Sequence, residues 1–374
     1  MKKILLLAPM ASVQERFNVA NIEALKKLDC EIHIVANFEL SEHDMNYRRN
    51  ADDSGIKTHQ LPFVRGSLLR NLHNVPEIKK LLKSEKFDIV HCHTETGGIL
   101  TRLSMSADKS AKYVYTPHGM SFYKGSSLKS RLIYYPIEKW ICSKMSANLA
   151  MNSEESENLE KWDRKTAKFI HGIGLDLSEF RKEADGQKKR LEFDIPPDAK
   201  LILSVGELNN NKNHSVVLKA ISEIPDSNIY YMVCGDGENR ESLKSLASEL
   251  KMENRLVLTG FRYDIKEIYR IADVFAFPSY QEGLSVSLME AMAAGLPIVC
   301  SKIRGNVDLI EEGNGGFLLE PTDVNGFKNA IEKLLYDAEL TMLMKKNNCK
   351  KINSFSVEAV TSETEEIYRC LLEN

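Results

Sequence analysis

The chain reads as an α/β protein of two doubly wound parallel-sheet domains, and three observations predict this. Apolar runs of strand length alternate with amphipathic helical runs almost throughout the sequence. Its 374 residues are about twice a typical domain length. A charged, Gly- and Pro-containing stretch interrupts the alternation near the middle. Regular alternation favours parallel strands, because each crossover between them needs a helix, and the helices then cover both faces.

In chain order, the first-half strands are predicted at Ile4 to Ala8, Glu31 to Ala36, Ile89 to His93, Tyr113 to Thr116 and Ala147 to Met151. The apolar core of Met1 to Pro9 is too short for a signal peptide and serves as the first strand. Helical periodicity lies between, as at Val19 to Leu28 and Val75 to Ser84. Arg181 to Lys200, with Asp185-Gly186-Gln187-Lys188-Lys189-Arg190 and Pro196-Pro197, reads as an interdomain linker and divides the chain into 1–182 and 183–356. Second-half strands follow at Leu201 to Val205, Ile229 to Cys234, Leu256 to Thr259, Val274 to Phe277, Ile298 to Ser301 and Gly316 to Leu319. A last helix, Val357 to Leu372 within 357–374, is too distant from the final strand to be an essential cover for it.

Net charge is −3, unevenly spread. Residues 1–182 carry 28 Lys and Arg against 22 Asp and Glu, and 57–144 carry 15 against 6. A basic first half favours anionic partners. Its basic residues interleave with apolar and aromatic ones from Tyr123-Lys124 through Lys129, Arg131, Tyr134, Tyr135, Lys139 and Trp140, which suits a membrane surface at least as well as nucleic acid; a solvated helical face gives the same pattern. Seven scattered cysteines without a Cys-x-x-Cys pair argue against zinc and for reduced thiols in a cytosol. No segment approaches membrane-spanning length.

Tyr280 to Val299 is the most informative stretch. It sets Glu282 and Glu290 eight positions apart, between an apolar strand and a short helix, Val286 to Ala294, that stops at Gly295. Amide groups at Gly283, Leu284 and Ser285 are expected at the helix mouth, where a phosphate can sit, and the two carboxylates can accept hydrogen bonds from hydroxyls. Gly206-Glu207-Leu208-Asn209-Asn210-Asn211-Lys212-Asn213 follows a predicted strand, where Lys212 can neutralise a diphosphate. Gly235 and Gly260-Phe261 close two further strands, and glycine there lets backbone approach a flat nucleobase. Thr116-Pro117-His118-Gly119 places His118 at a strand end, and His91 and His93 alternate onto one strand face. Two histidines without a third ligand nearby make a weak metal site. The sequence holds no Asp-x-Asp, dinucleotide fingerprint or P-loop.

These segments resemble the family 4 retaining glycosyltransferases, nearly end to end and most strongly from Ser204 to Leu319. The resemblance rests on Glu-x7-Glu with its Glu-Ala-Met-Ala-x-Gly-x-Pro-Ile-Val run, on Thr-x-His-Gly, on His-x-His, and on Gly174-Leu175-Asp176, which matches the family's hinge. Phe17-Asn18-Val19 and the stretch from Phe122 to Trp140 liken it to bacterial capsule and exopolysaccharide enzymes. The resemblance implies the GT-B fold, two Rossmann-like domains facing across a cleft, with the last helix returning to the N-terminal, acceptor-binding domain. It implies a metal-independent, cofactor-free transfer from a nucleotide sugar, a UDP-sugar, to a lipid-linked or glycan acceptor at the inner leaflet of the cytoplasmic membrane, with no nucleic acid partner. His118 and Glu282 carry over as catalytic residues. Gly206, Glu207, Lys212, Gly235, Gly260, Phe261, Gly283, Leu284, Ser285 and Glu290 carry over as donor-binding, and Ser12, Arg16 and Tyr123 as acceptor-side.

Two positions depart from the family. Glu207 stands where the family has a phosphate-binding arginine, and the first loop, Pro9 to Arg16, lacks paired glycines. A nucleotide-sugar epimerase or phosphorylase of this architecture, or a noncatalytic sugar-nucleotide-binding scaffold, are the alternatives.

Overall fold

Two all-parallel sheets account for the predicted alternation in the computed structural model, which describes residues 1–180 and 186–373. The first contains β1 (Lys3–Met10), β2 (Glu31–Asn37), β3 (Lys57–Gln60), β4 (Ile89–His93), β5 (Lys112–Thr116), β6 (Ala147–Ala150) and β7 (Ala167–Phe169), in the order β3-β2-β1-β4-β5-β6-β7. The second contains β8 (Lys200–Val205), β9 (Ile229–Cys234), β10 (Leu256–Gly260), β11 (Val274–Phe277), β12 (Ile298–Ser301) and β13 (Gly316–Leu319), in the order β10-β9-β8-β11-β12-β13. Central strands are apolar on both faces because helices cover both: Ile4, Leu5, Leu6, Leu7 and Ala8 of β1 are all fully buried. The edge strands β3, Lys-Thr-His-Gln, and β7, Ala-Lys-Phe, were not expected. An edge strand borders solvent and needs no apolar run to hold its place.

One unit comprises Met1–Gly174 with the helix Val357–Glu373, and the other Leu175–Ser356. The boundary thus precedes the expected 182/183. Leu175 already donates its N–H to Phe355 O (2.8 Å), and Phe180 is buried edge-on to Tyr269, so this segment is core of the second unit. Of the expected linker, 181–185 lies outside the described residues. Its Gly186–Leu191 portion is not a linker but a helix, whose charges are used in packing. Lys189 pairs with Asp264, Glu192 and Glu267, and Arg190 reaches Ala199 O (2.6 Å), Ile271 O (2.7 Å) and Asp273 (3.1 Å).

The helix Val357–Glu373 packs on the helix Val19–Lys27 and buries Val360, Thr361, Thr364 and Tyr368, one face at helical spacing. In place of the expected first loop, the chain enters a helix, Ala11–Phe17, directly from β1. In both sheets the strand order reverses beside the first strand of the unit, at β1/β4 and at β8/β11. Loops that leave neighbouring strands in opposite directions open a crevice at the carboxyl ends of the strands.

Candidate active site

At the β8/β11 reversal, asparagines stitch two loops together. Asn209 Oδ1 accepts from the Lys212 amide (3.0 Å), and Asn211 O accepts from the Tyr280 amide (2.8 Å). Asn211 Nδ2 donates to Gln281 O (3.0 Å), and Asn213, in the left-handed region at φ 53°, donates to Pro278 O (3.2 Å) and Pro321 O (2.7 Å). Asparagine tolerates that backbone and carries the donor needed, which explains its repetition here. The outcome is a contact between two predicted site residues: Lys212 Nζ lies 2.6 Å from Glu282 Oε1 and 4.8 Å from the centre of the Phe277 ring.

The loop after β12 braces the same place. Arg304, nearly buried, donates from Nε to Glu282 O (3.1 Å). Gly305 follows at φ 78°, where a Cβ would stand 2.0 Å from Gly283 O, so only glycine allows this approach. Sequence reasoning missed Arg304; its signal is a basic residue before glycine just beyond a predicted strand.

The helix Val286–Ala293 starts later than the expected amide donors require. Ser285 is its N-cap and its Oγ accepts from the Leu288 amide (3.3 Å), so the amides lacking intrahelical partners are those of Ser285 and the first turn, and Gly283 and Leu284 lie ahead of it. Glu290, one turn further, accepts from the buried Tyr269 hydroxyl (2.9 Å), which also reaches Ser287 O (3.1 Å). Burial, then the Glu290 charge, push the Tyr269 phenol well above its ordinary value and keep it a donor.

Glu207 is exposed. Gly235 serves backbone packing rather than open space for a flat ligand: a Cβ there would lie 1.9 Å from Gly206 O, and its amide donates to Gly260 O (2.9 Å). Phe261 is 62% exposed, edge-on to Tyr263 at 5.0 Å. Because the strands are parallel, every predicted donor-side residue lies on the carboxyl edge of this sheet or on the helix entered from it.

In the first unit, the β1/β4 reversal gathers Phe17, His93 and His118. His118 adopts φ 59° and Thr94, just after β4, φ 65°; a β-branched residue in that region is a strained outlier. His93 Nδ1 lies 2.9 Å from His118 Nε2, and the Phe17 ring sits 4.6 Å from that of His118. Burial lowers His91 and His118 to about 3 and His93 well below its ordinary value, leaving all three neutral near pH 7. Ser12 and Arg16 are exposed on the helix after β1, and Tyr123 lies in a turn closed by the Ser126 amide on Tyr123 O (3.0 Å).

Among the described residues, Glu31, His33 and Glu85 bring metal-capable atoms within 4.8 Å of one another, at the opposite, amino edge of the sheet. Both carboxylates already pair with lysines, Glu31 with Lys57 (2.6 Å) and Glu85 with Lys3 (2.9 Å), which accounts for the cluster without a cation. The helix Leu128–Cys142 exposes Leu128 (73%) and Leu132 (69%) beside exposed Lys129, Arg131 and Lys139. Among the described residues, no helix is long and apolar enough to cross a membrane.

Comparison with known proteins finds two family models, one over each half. "Glycosyltransferase Family 4" matches residues 14–171 and "Glycosyl transferases group 1" matches 185–351. EpsD of Bacillus subtilis, named as a glycosyltransferase, is 29% identical over all of this chain and 97% of its own length. The Escherichia coli UDP-Gal:α-D-GlcNAc-diphosphoundecaprenol α-1,3-galactosyltransferase is 29% identical over 81% of this chain and 80% of its own. Anabaena HepE, solved with UDP, shares the fold at TM-score 0.81 and 18% identity, covering 99% of this chain and 100% of that one. The family models cover the second sheet, every strand of the first but β1, and the loops that bring Lys212 to Glu282, and EpsD aligns from end to end: the chain belongs to glycosyltransferase family 4 and is a sugar-transferring enzyme of the GT-B type.

Proposed function

We propose that this enzyme moves a hexose, with retention and without a metal, from a UDP-sugar to a lipid-diphosphate-linked or glycan acceptor in cell-surface polysaccharide synthesis, working in the cytoplasm at the inner leaflet and not on nucleic acid. The Lys212–Glu282 contact carries this reading, since it sets a cation suited to a diphosphate against a carboxylate suited to sugar hydroxyls. Lys212 takes one phosphate. Arg304 provides the second charge that Glu207 cannot, with the free amides of the helix start alongside. Glu290, held by Tyr269, accepts from the ribose. Gly206, Gly235, Gly260 and Phe261 border the nucleoside, Gly283, Leu284 and Ser285 the phosphates and sugar, and Ser12, Arg16 and Tyr123 the acceptor.

As the bond from the anomeric carbon to the diphosphate oxygen breaks, its electron pair leaves with the diphosphate. Stabilising that charge is the largest share of catalysis. The acceptor hydroxyl oxygen forms the new bond to the anomeric carbon on the side the diphosphate leaves, which retains the configuration, and its proton passes to the departing phosphate oxygen while Glu282 and His118 hold the sugar. UDP-binding in HepE and the diphosphoundecaprenol substrate of the E. coli relative support the choice of donor and acceptor, and the basic, leucine-bearing face of Leu128–Cys142 supports peripheral attachment to anionic lipid.

A thermal-shift panel of UDP-, GDP- and ADP-sugars tests the donor: a UDP-sugar should raise the melting temperature through linkage, and a flat panel overturns the reading. Proton NMR of the product, formed in EDTA on a lipid-diphosphate acceptor, should show the donor's anomeric configuration. Consumption of the UDP-sugar without acceptor would instead identify an epimerase.

A further inference from the structure

The buried polar groups of the first unit form a hydrogen-bond chain whose direction can be read residue by residue. Gln14 Nε2 donates to two main-chain carbonyls, Leu6 O and Val35 O (both 3.0 Å), which fixes its amide and makes Oε1 an acceptor. Asn18 Nδ2 donates to that oxygen (2.6 Å) and Asn21 Nδ2 to Asn18 Oδ1 (2.6 Å). Asn21 Oδ1 then accepts from the Tyr368 hydroxyl (3.3 Å), whose own oxygen accepts from His91 Nδ1 (2.7 Å). His91 therefore carries its proton on Nδ1, and Nε2 accepts from Thr116 Oγ1 (2.8 Å).

His93 stacks on this fixed ring at 4.1 Å and contacts His118 through Nδ1 alone. Its Nε2 is buried and has no partner among the described residues. Two neutral imidazoles sharing one contact must place its proton on one side. If His118 donated, the His93 proton would sit on Nε2, an N–H buried with nothing to accept it. If His93 donates, only a lone pair is left unmet, and buried orphan donors are the rarer defect in folded proteins. Among the described residues His118 makes its hydrogen bond through Nε2 and none through Nδ1, and it is partly exposed.

We infer that His93 is a positioning residue that holds His118 as its Nδ1–H tautomer, so that His118 serves as a neutral hydrogen-bond donor to bound sugar rather than as a base. This rests on the proposed function for the identity of the ligand, but not for the tautomer.

Long-range ¹H–¹⁵N NMR of the full chain labelled at histidine reads the tautomer directly. His118 should show a protonated Nδ1 and a bare Nε2, and a protonated Nε2 overturns the inference whatever the activity. His93→Phe keeps the ring and removes the donor, and should shift His118 to the Nε2–H form with kcat down roughly tenfold or more, as for a lost hydrogen bond. His93→Gln, which restores an N–H, should recover most of that kcat; equal loss in both variants, with both folded, points to packing alone and overturns it. Should His93→Phe not fold, the wild-type spectrum still decides. If the spectrum agrees but no UDP-sugar binds, the proposed function fails and the tautomer assignment stands.

Discussion

Lys212 Nζ and Glu282 Oε1 lie 2.6 Å apart on loops separated by 70 residues, so the cation and the carboxylate proposed to meet phosphate and sugar neutralise each other before any donor arrives. A diphosphate must compete with Glu282 for this lysine. Glu282→Gln should therefore bind UDP several-fold more tightly, on the order of the ~1 kcal/mol of a partly screened pair, while transfer falls about a hundredfold. Calorimetry with UDP beside turnover assays checks this, and weaker UDP binding in the variant would contradict it.

Arg304 should matter to phosphate and not to base. Arg304→Ala is expected to weaken UDP about tenfold, the scale of a charge-assisted hydrogen bond, and to leave uridine unchanged. Adding Glu207→Arg to Arg304→Ala should return much of the loss by restoring a cation from the neighbouring loop. Equal losses for UDP and uridine would mark Arg304 as merely structural.

Tyr269 holds Glu290 at 2.9 Å from within the core. Tyr269→Phe keeps the packing and removes this donor. It should cost about 1 kcal/mol of stability in urea unfolding and raise the KM for donor with kcat nearly unchanged, because ribose contacts bind substrate and transition state alike.

Acid should destabilise the first unit through its buried histidines. Burial lowers His91 and His118 from 6.5 to about 3. The unfolded chain therefore binds protons that the folded chain refuses. Their contribution is complete above the unfolded value near 6.5 and is lost as pH falls from there toward 3, at up to about 1.4 kcal/mol per pH unit for each. Urea titrations at pH 7.5 and 5.5 should separate accordingly, and identical midpoints would refute the burial argument.

If Leu128 and Leu132 anchor the protein to lipid as proposed, Leu128→Glu with Leu132→Glu should lower co-sedimentation with phosphatidylglycerol vesicles at least fivefold, the scale of two lost apolar anchors, while a soluble acceptor is still used. Unchanged sedimentation would assign attachment elsewhere.

Sequence alone determined the two-sheet α/β plan, the central strands and the loops that carry Lys212, Glu282, Glu290 and His118. Those signals are local: apolar runs, turn residues and motif spacing act within about ten residues of chain. Tertiary structure alone decided the edge strands β3 and β7, the boundary at Gly174, Arg304 behind Glu282, and the Tyr368–His91 contact across 277 residues of sequence. Edge strands carry weak apolar patterns, and a charged segment such as Gly186–Leu191 looks like solvent-facing linker until its ion-pair partners are known. A side chain's partner in another element exists only once the chain has folded, which is why the candidate residues within motifs were legible and Arg304 and the side chains that hold the others in place were not.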